Sequence, residues 1–392
     1  MLNKKNNANS LFAYLAMAFI TMSGLSYINF LPGVVSALAG AIGFSEVEAG
    51  QIVSLNGYGG LLGTTAAIFL VRRIRWRAAV IAGLALLALM DIGSAWIDSY
   101  EAMLAWRFVA GIFGGFSLGV AFAGLARLGN PDRAFGYLLF IQFSIGALVV
   151  YLLPALEAAI NAYAVFYVMA SLALVSLLLV IFLRRIPLNK YPRERITLLP
   201  SEYRHAWLLL LAIMLYQVAA SAIWAYVGLI GLTAGIAAEP VSTYIAVTGL
   251  LGLLGAMVPV INGKRYGRLN WLLAGVALSL LAALLLNFST HSTIYVFAMT
   301  LLFISWPAVQ SYLLAVIAEM DGSGKLATIA AVVSFVGLAT GPLLASGLLN
   351  NSDFSLMLYT CAVIFLMSGL LLLKPLRAQE LSNSGMLSPT PD

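Results

Sequence analysis

Few residues in this sequence are placed where they could do chemistry, and Asp91 and Arg107 stand out among them. Each lies inside a stretch of otherwise apolar sequence. An arginine in a bilayer costs at least about 2.5–3.5 kcal/mol on insertion scales, so such a group faces a partner or a cavity. The polar turn between the two stretches is centred near Ser99, eight residues from each. That spacing sets the two side chains at similar depth on neighbouring antiparallel helices. Two roles are open: the pair interacts, or Asp91 competes with an anionic substrate for Arg107. The blander reading has Arg107 bonding backbone carbonyls while Asp91 reaches the interface.

Other chemistries find little support. His205, His291 and the single cysteine, Cys361, are too scattered for a metal site, so no metal or cofactor is expected. Gly322-Ser323-Gly324-Lys325 imitates a phosphate loop. It has Glu319 where the leading glycine belongs and Leu326 where a Ser or Thr should follow. Asn350-Asn351-Ser352 is a formal glycosylation acceptor, with meaning only in a secretory pathway.

The elements that must position these residues follow from composition. Of 392 residues, 62% are hydrophobic and 9% charged, against roughly 45–50% and roughly 25% in soluble domains. The surplus must face lipid, and the lipid bilayer is the first partner the chain implies. A crossing helix needs roughly 20 mainly apolar residues. Cutting at polar clusters gives twelve such runs: Leu11–Ala39, Ala49–Val71, Ala78–Trp96, Ala102–Leu125, Phe135–Leu156, Tyr163–Leu183, Trp207–Leu232, Val241–Ile261, Leu269–Leu286, Ile294–Ile317, Leu326–Leu349 and Phe354–Leu373. The first is far longer than the roughly 7–15-residue core of a signal peptide, so it is read as a retained crossing. Strand-like alternation is missing, which disfavours a barrel.

Charge placement tests the count. With the N-terminus inside, 20 of the 21 Lys and Arg residues fall in cytoplasmic segments, and the exception is Arg107. This positive-inside bias predicts cytoplasmic N- and C-termini in the inner or plasma membrane. The net charge of +6 therefore describes orientation, and no nucleic-acid partner is expected. The longest polar stretch, 184–204, holds three prolines and six basic residues. It reads as a cytoplasmic linker between six-helix bundles at 1–183 and 205–377, with a tail at 378–392. Arg72 matches Arg265 at an offset of 193, and Arg133 matches Lys325 at 192. Two loop pairs with nearly one offset indicate a duplicated half, the arrangement in which transporters place a central site between repeats.

On these loops the chain resembles the major facilitator superfamily (MFS) along nearly its whole length. The family signature Gly-x-Leu-Ala-Asp-Arg-x-Gly-Arg-Arg links helices two and three. Here Arg72 and Arg75 are kept, while Val71 replaces the acid and Ile74 the glycine. The second copy keeps Arg265, Gly267 and Arg268, with Lys264 in the acid's place. The resemblance implies that both loops are cytoplasmic gate elements, with the acid's locking contact weakened or rebuilt. Arg107-x-x-x-Gly111 matches a second signature on helix four. The antiporter signature of helix five is missing, since that helix carries Gly146, Tyr151 and Pro154. A partial echo sits on helix eleven as Gly337-Leu338-Ala339-Thr340-Gly341-Pro342.

In that family helices one, four, seven and ten line the cavity. The resemblance thus points to Tyr27, Asn29, Arg107, Tyr216, Gln217, Trp224, Trp306 and Gln310, with Gln142 from helix five and Tyr244 from helix eight. Together they would make a site with stacking faces, amides and one positive charge, suited to an organic anion or a polar aromatic compound. The Gly111, Gly115, Gly119 and Gly59, Gly63 series read as close helix packing. The expectation is an all-α, twelve-helix secondary transporter, monomeric, moving a small-molecule substrate by alternating access, with coupling to protons through Asp91 or none. An efflux antiporter of the same fold and, from another class, an integral-membrane enzyme are the alternatives; no acid/base or nucleophile constellation supports the enzyme.

Overall fold

In the computed structural model, residues 11–183, 206–262, 267–320, 325–349 and 352–383 are described. They form helices α1 (Leu11–Asn29), α2 (Leu31–Ala39), α3 (Glu46–Leu70), α4 (Trp76–Gly93), α5 (Tyr100–Leu125), α6 (Pro131–Ala159) and α7 (Ala164–Phe182) in the first half. The second half holds α8 (Ala206–Thr233), α9 (Ala238–Leu250), α10 (Gly252–Asn262), α11 (Arg268–Leu286), α12 (Ser292–Met320), α13 (Lys325–Leu348) and α14 (Ser355–Asn383). Twelve stretches are long and apolar enough to cross a membrane. Each of the twelve sequence runs falls on one of them. The linker 184–204, Lys264, Arg265 and the glycosylation acceptor's asparagines lie outside the described residues.

Local chemistry sets the helix ends. The first crossing breaks at Phe30, because Pro32 at the start of α2 cannot donate into the preceding turn. The start of α3 lies three residues before the apolar run. Ser45 accepts from the Glu48 N–H while the Glu48 carboxylate accepts from the Ser45 N–H, a reciprocal cap. Asn130 caps α6 ahead of Pro131. Crossings alternate in direction, so Arg72, Arg75, Arg77 and Arg127 gather at one end. Glu46, Glu48, Asp98, Glu101 and Glu239 gather at the other. Between these ends the outer faces are apolar: Phe69 is 70% and Phe182 72% exposed, as a lipid-facing surface requires.

The halves are two pseudo-symmetric six-helix bundles, and the duplication is written in backbone and contacts. Helices α9, α11 and α12 begin 192 residues after α3, α4 and α5, at Ala238, Arg268 and Ser292 against Glu46, Trp76 and Tyr100. Gly43 and Gly235, at the same offset, both turn the chain at positive φ (99° and 84°), a conformation glycine adopts without a Cβ penalty. A Cβ on Gly63 would strike the Ile112 carbonyl, and one on Gly255 would strike the Ile304 carbonyl. Gly83 likewise meets Ser117 where Gly275 meets Val309. In each set the second pair lies 192 residues after the first, so the duplicated feature is the close approach of helices over glycine.

The basic loops do not repeat so faithfully. Gly267 takes φ 78° ahead of α11, whereas Arg75, its counterpart ahead of α4, is extended at φ −78°. Glycine is therefore needed in the second copy, whereas an ordinary residue, Arg75, serves in the first.

Replacing Gly63 or Gly255 by valine should force α3 from α5, or α10 from α12, and lower the melting temperature by several degrees, equivalent to about 1–3 kcal/mol. Gly136→Ala, where the new methyl meets open space, should leave it unchanged. Thermal unfolding in detergent checks both.

Candidate functional site

Two polar assemblies occupy the membrane-spanning region of the first bundle and the space between bundles. The first is built around Arg107. A short 3₁₀ turn, Ser94–Trp96, and the Ser99 cap return the chain from α4 to α5. The Trp106 indole donates to the Met90 carbonyl (2.7 Å) and fixes the register of the two helices. Arg107 Nη1 consequently donates to Asp91 Oδ1 at 2.7 Å and to Ser94 Oγ at 3.2 Å. Both charged residues are 1% exposed. The guanidinium lies 4.6 Å from the Tyr27 ring centre and 5.0 Å from that of Phe166, two cation–π contacts in place of water. Asn56 of α3 donates to the Arg107 carbonyl (2.7 Å) and ties in a third helix. The interaction that the spacing around Ser99 allowed is thus realised. Asp91 Oδ2, Arg107 Nε and the Tyr27 hydroxyl keep no hydrogen-bond partner. A void of about 40 Å³ adjoins the pair.

The second assembly is a cavity of about 400 Å³ between the bundles. It runs from the depth of Asn29 and Trp224 towards the basic end, past Phe122 and Leu314. Of the expected contacts, Asn29, Gln142, Gln217, Trp224, Trp306 and Gln310 are on its wall. Gln217 is occupied: its amide donates to Ser334 Oγ (2.8 Å) and its oxygen accepts from the Trp306 indole (2.6 Å). Trp224 donates to the Ile28 carbonyl (2.9 Å) across the bundle interface and meets Phe303 edge-on at 5.2 Å. The Asn29 amide nitrogen is buried without a partner. The wall carries no ionisable acid or base among the described residues.

Several expectations are corrected. Arg107 and Asp91 do not line the central cavity, because Ile28 of α1 and Phe335 of α13 stand between it and their void; both residues border the two spaces. Tyr27 faces that void and a neighbouring space of about 30 Å³, not the cavity. Tyr216 is fully buried inside the second bundle. Its hydroxyl pairs with Ser279 Oγ (2.7 Å), which pairs with Ser305 Oγ (2.8 Å), and its ring packs on Phe365. Tyr244 packs against Tyr295 and is also off the wall. The helix-eleven echo serves packing: a Cβ on Gly341 would collide with Ser221 of α8. Of the gate residues, Arg72 and Arg75 share a groove at the basic end, and Gly267 and Arg268 open α11. Sequence reasoning missed Asn56, Ser94 and Phe335. The first two are polar residues within apolar runs and could have been noticed; one phenylalanine among 20 carries no such signal.

The bundles meet from the acidic end, at Glu46, to the middle of α3, at Tyr58. Tyr226 donates to the Glu46 carbonyl (2.8 Å), Ser54 to the Ala339 carbonyl (2.5 Å), and Tyr58 pairs with Thr340 (2.8 Å). The cavity is therefore closed towards the acidic end in this conformation.

Removing one member of the buried pair leaves an uncompensated charge. Asp91→Asn or Arg107→Met alone should cost about 3–5 kcal/mol. The double variant should cost clearly less than the sum, read from a double-mutant cycle of thermal stability. Additivity would show that the pair carries no coupling.

Comparisons with known proteins agree with this architecture. A solved structure of a mutant of the nucleoside transporter NupG superposes with a TM-score of 0.77 at 12% sequence identity, covering 92% of this chain and 98% of that one. No curated protein sequence matches. The family model for the Major Facilitator Superfamily matches residues 15–335, most of both bundles, and the chain belongs to that superfamily of transporters.

Proposed function

We propose that this protein carries an uncharged, polar, aromatic solute across the inner or plasma membrane by alternating access. The bundles at 1–183 and 205–377, joined by the 184–204 linker, rock about the central cavity, and the protein works as a monomer. Both termini and the 378–392 tail are cytoplasmic. The present conformation, closed at the acidic end, is then the inward-facing one. Membership of a transporter family favours this over an integral-membrane enzyme.

The observation that carries the substrate class is the cavity wall. Gln142, Gln310 and Asn29 offer amides that both donate and accept, and Trp224, Trp306, Phe143 and Phe303 offer ring faces. An organic anion would find no cation there, since Arg107 is held by Asp91 behind Phe335. Neutral heteroaromatic compounds match amides and rings together. One fold neighbour is a nucleoside transporter, so nucleosides are the class to test first.

Coupling to protons would run through Asp91, the carboxylate with one unpartnered oxygen beside a void. Its proton would be exchanged when α13 withdraws Phe335 as the bundles rock.

Counterflow in proteoliposomes should show exchange of labelled nucleoside and none of a hexose or a benzoate-like anion. Gln142→Ala and Gln310→Ala should each weaken apparent affinity about three- to tenfold, the value of one neutral hydrogen bond. Exchange of the anion instead of the nucleoside would overturn the substrate class. In a separate measurement, Asp91→Asn should abolish concentrative uptake driven by a pH gradient while sparing counterflow. Unchanged gradient-driven uptake would remove Asp91 from coupling.

A further inference from the structure

Beside the central cavity lie two smaller spaces, of about 40 and about 30 Å³. Tyr27, Ile28, Gly57 and Phe335 are on the walls of both, so the two adjoin across these residues. The larger is bordered by Asp91 and Arg107. The smaller lies on the seam between the bundles, with Val53 of α3 on one side and Ser221 of α8 and Ala339 of α13 on the other. Tyr27, Asp91 and Arg107 are the titratable groups on these walls among the described residues. Each is at least nine-tenths buried, and each keeps an atom without a hydrogen-bond partner: the Tyr27 hydroxyl, Asp91 Oδ2 and Arg107 Nε. The Tyr27 ring gives Arg107 the same kind of contact that Phe166 gives. Phenylalanine would serve that contact as well, and a buried hydroxyl without a partner costs its desolvation. Packing therefore does not explain the hydroxyl.

A buried water needs roughly 10–15 Å³ and two to four polar partners. The larger space supplies both, since the carboxylate oxygen accepts, the Nε–H donates and the hydroxyl does either. In the smaller space Ser221 stands with Tyr27, and its own bonds to the Val218 and Gly337 carbonyls are long, at 3.4 Å. We propose that the larger space binds water between Asp91 and Tyr27, and that the Tyr27 hydroxyl relays the Asp91 proton to the seam. This inference rests on the assignment of proton coupling to Asp91. As Asp91 is deprotonated, its acid O–H breaks and the bridging water gains that proton. The water gives one of its protons to the Tyr27 oxygen, and the Tyr27 O–H proton leaves for the smaller space. One proton is displaced, the water and Tyr27 end neutral, and the carboxylate left behind stays paired with Arg107. The bonds between Ser54 and Ala339 and between Tyr58 and Thr340 close the seam. When they part, water from the acidic end reaches the smaller space and takes up the proton, or supplies it in the reverse step.

Radiolytic labelling of the purified full chain in ¹⁸O-enriched water tests the hydration site directly, because hydroxyl radicals formed from bound water oxidise the side chain beside it. Tyr27 should take up the label despite its burial, whereas Tyr216, buried and paired with Ser279, should not. No uptake at Tyr27 would overturn the site whatever solute the protein carries. In proteoliposomes, Tyr27→Phe should lower uptake of labelled nucleoside driven by a pH gradient about tenfold relative to its own counterflow, with an unchanged melting temperature. A merely structural role for the hydroxyl would lower counterflow and stability instead. If Asp91→Asn abolishes gradient-driven uptake and Tyr27→Phe keeps it in full, the relay falls while Asp91 stands. If Asp91→Asn also leaves that uptake unchanged, the coupling assignment falls, and the relay with it.

Discussion

Lipid offers no hydrogen bonds, and every feature of this molecule is an answer to that constraint. Backbone groups are satisfied within helices because nothing outside can satisfy them. Charged side chains are sent to the two ends, basic at one and acidic at the other, where water is available. What cannot be sent out must be paired, and Asp91 with Arg107 is the costly case. Their bond at 2.7 Å, the Ser94 hydroxyl and the two aromatic faces together replace a hydration shell. A buried pair of this kind is weak evidence for stability, since desolvation offsets its attraction. The partly unsatisfied atoms Asp91 Oδ2 and Arg107 Nε make its retention harder to explain by folding alone.

The duplicated bundles sharpen that point. At the offset of 192 that aligns their helices, Asp91 and Arg107 correspond to Ala283 and Met299, both fully buried. The second bundle therefore folds with an apolar pair where the first holds charges. Conversely, Ser279, which pairs with Tyr216, and Ser305, which pairs with Ser279, correspond to Leu87 and Phe113. The repeat preserves backbone turns and glycine contacts but not the chemistry of the interior. Packing needs explain the shared features, while each half's polar cluster must have a reason of its own.

Much of this was legible from the sequence, and what was not has a physical cause. All twelve crossings were readable because lipid demands long apolar runs. Their ends were misplaced by a few residues wherever a polar cap such as Ser45 or Asn130 starts the helix ahead of its apolar part. The Asp91–Arg107 contact could be anticipated because a tight turn fixes the relative depth of two antiparallel helices. Facing was harder. Tyr216 and Gln217 are adjacent on α8, about 100° apart around the helix, and only Gln217 reaches the cavity. Because α8 is apolar on nearly all sides, amphipathicity gives no cue to which residue turns inward. Nor could the sequence reveal that Phe335, from the opposite bundle, would separate Arg107 from the cavity.

The closure at the acidic end has a strength suited to being undone. It includes hydrogen bonds from Tyr226, Ser54, Tyr58 and Trp224 across the interface. Interhelical bonds of this kind in membranes average about 0.6 kcal/mol, with a maximum of about 1.7 kcal/mol. Four of them amount to a few kcal/mol, the gap over which a ligand's differential affinity can shift a conformational equilibrium. Buried ion pairs across the same interface would have cost more to part, and none of these four contacts is one. Trp224 belongs to both structures at once: its N–H closes the interface on Ile28 while its side chain forms the floor of the cavity. A solute stacking on that indole would act on a residue whose hydrogen bond must break for the bundles to separate. In the proposed mechanism, occupancy and closure are thereby linked through one side chain, without a charged gate at this end.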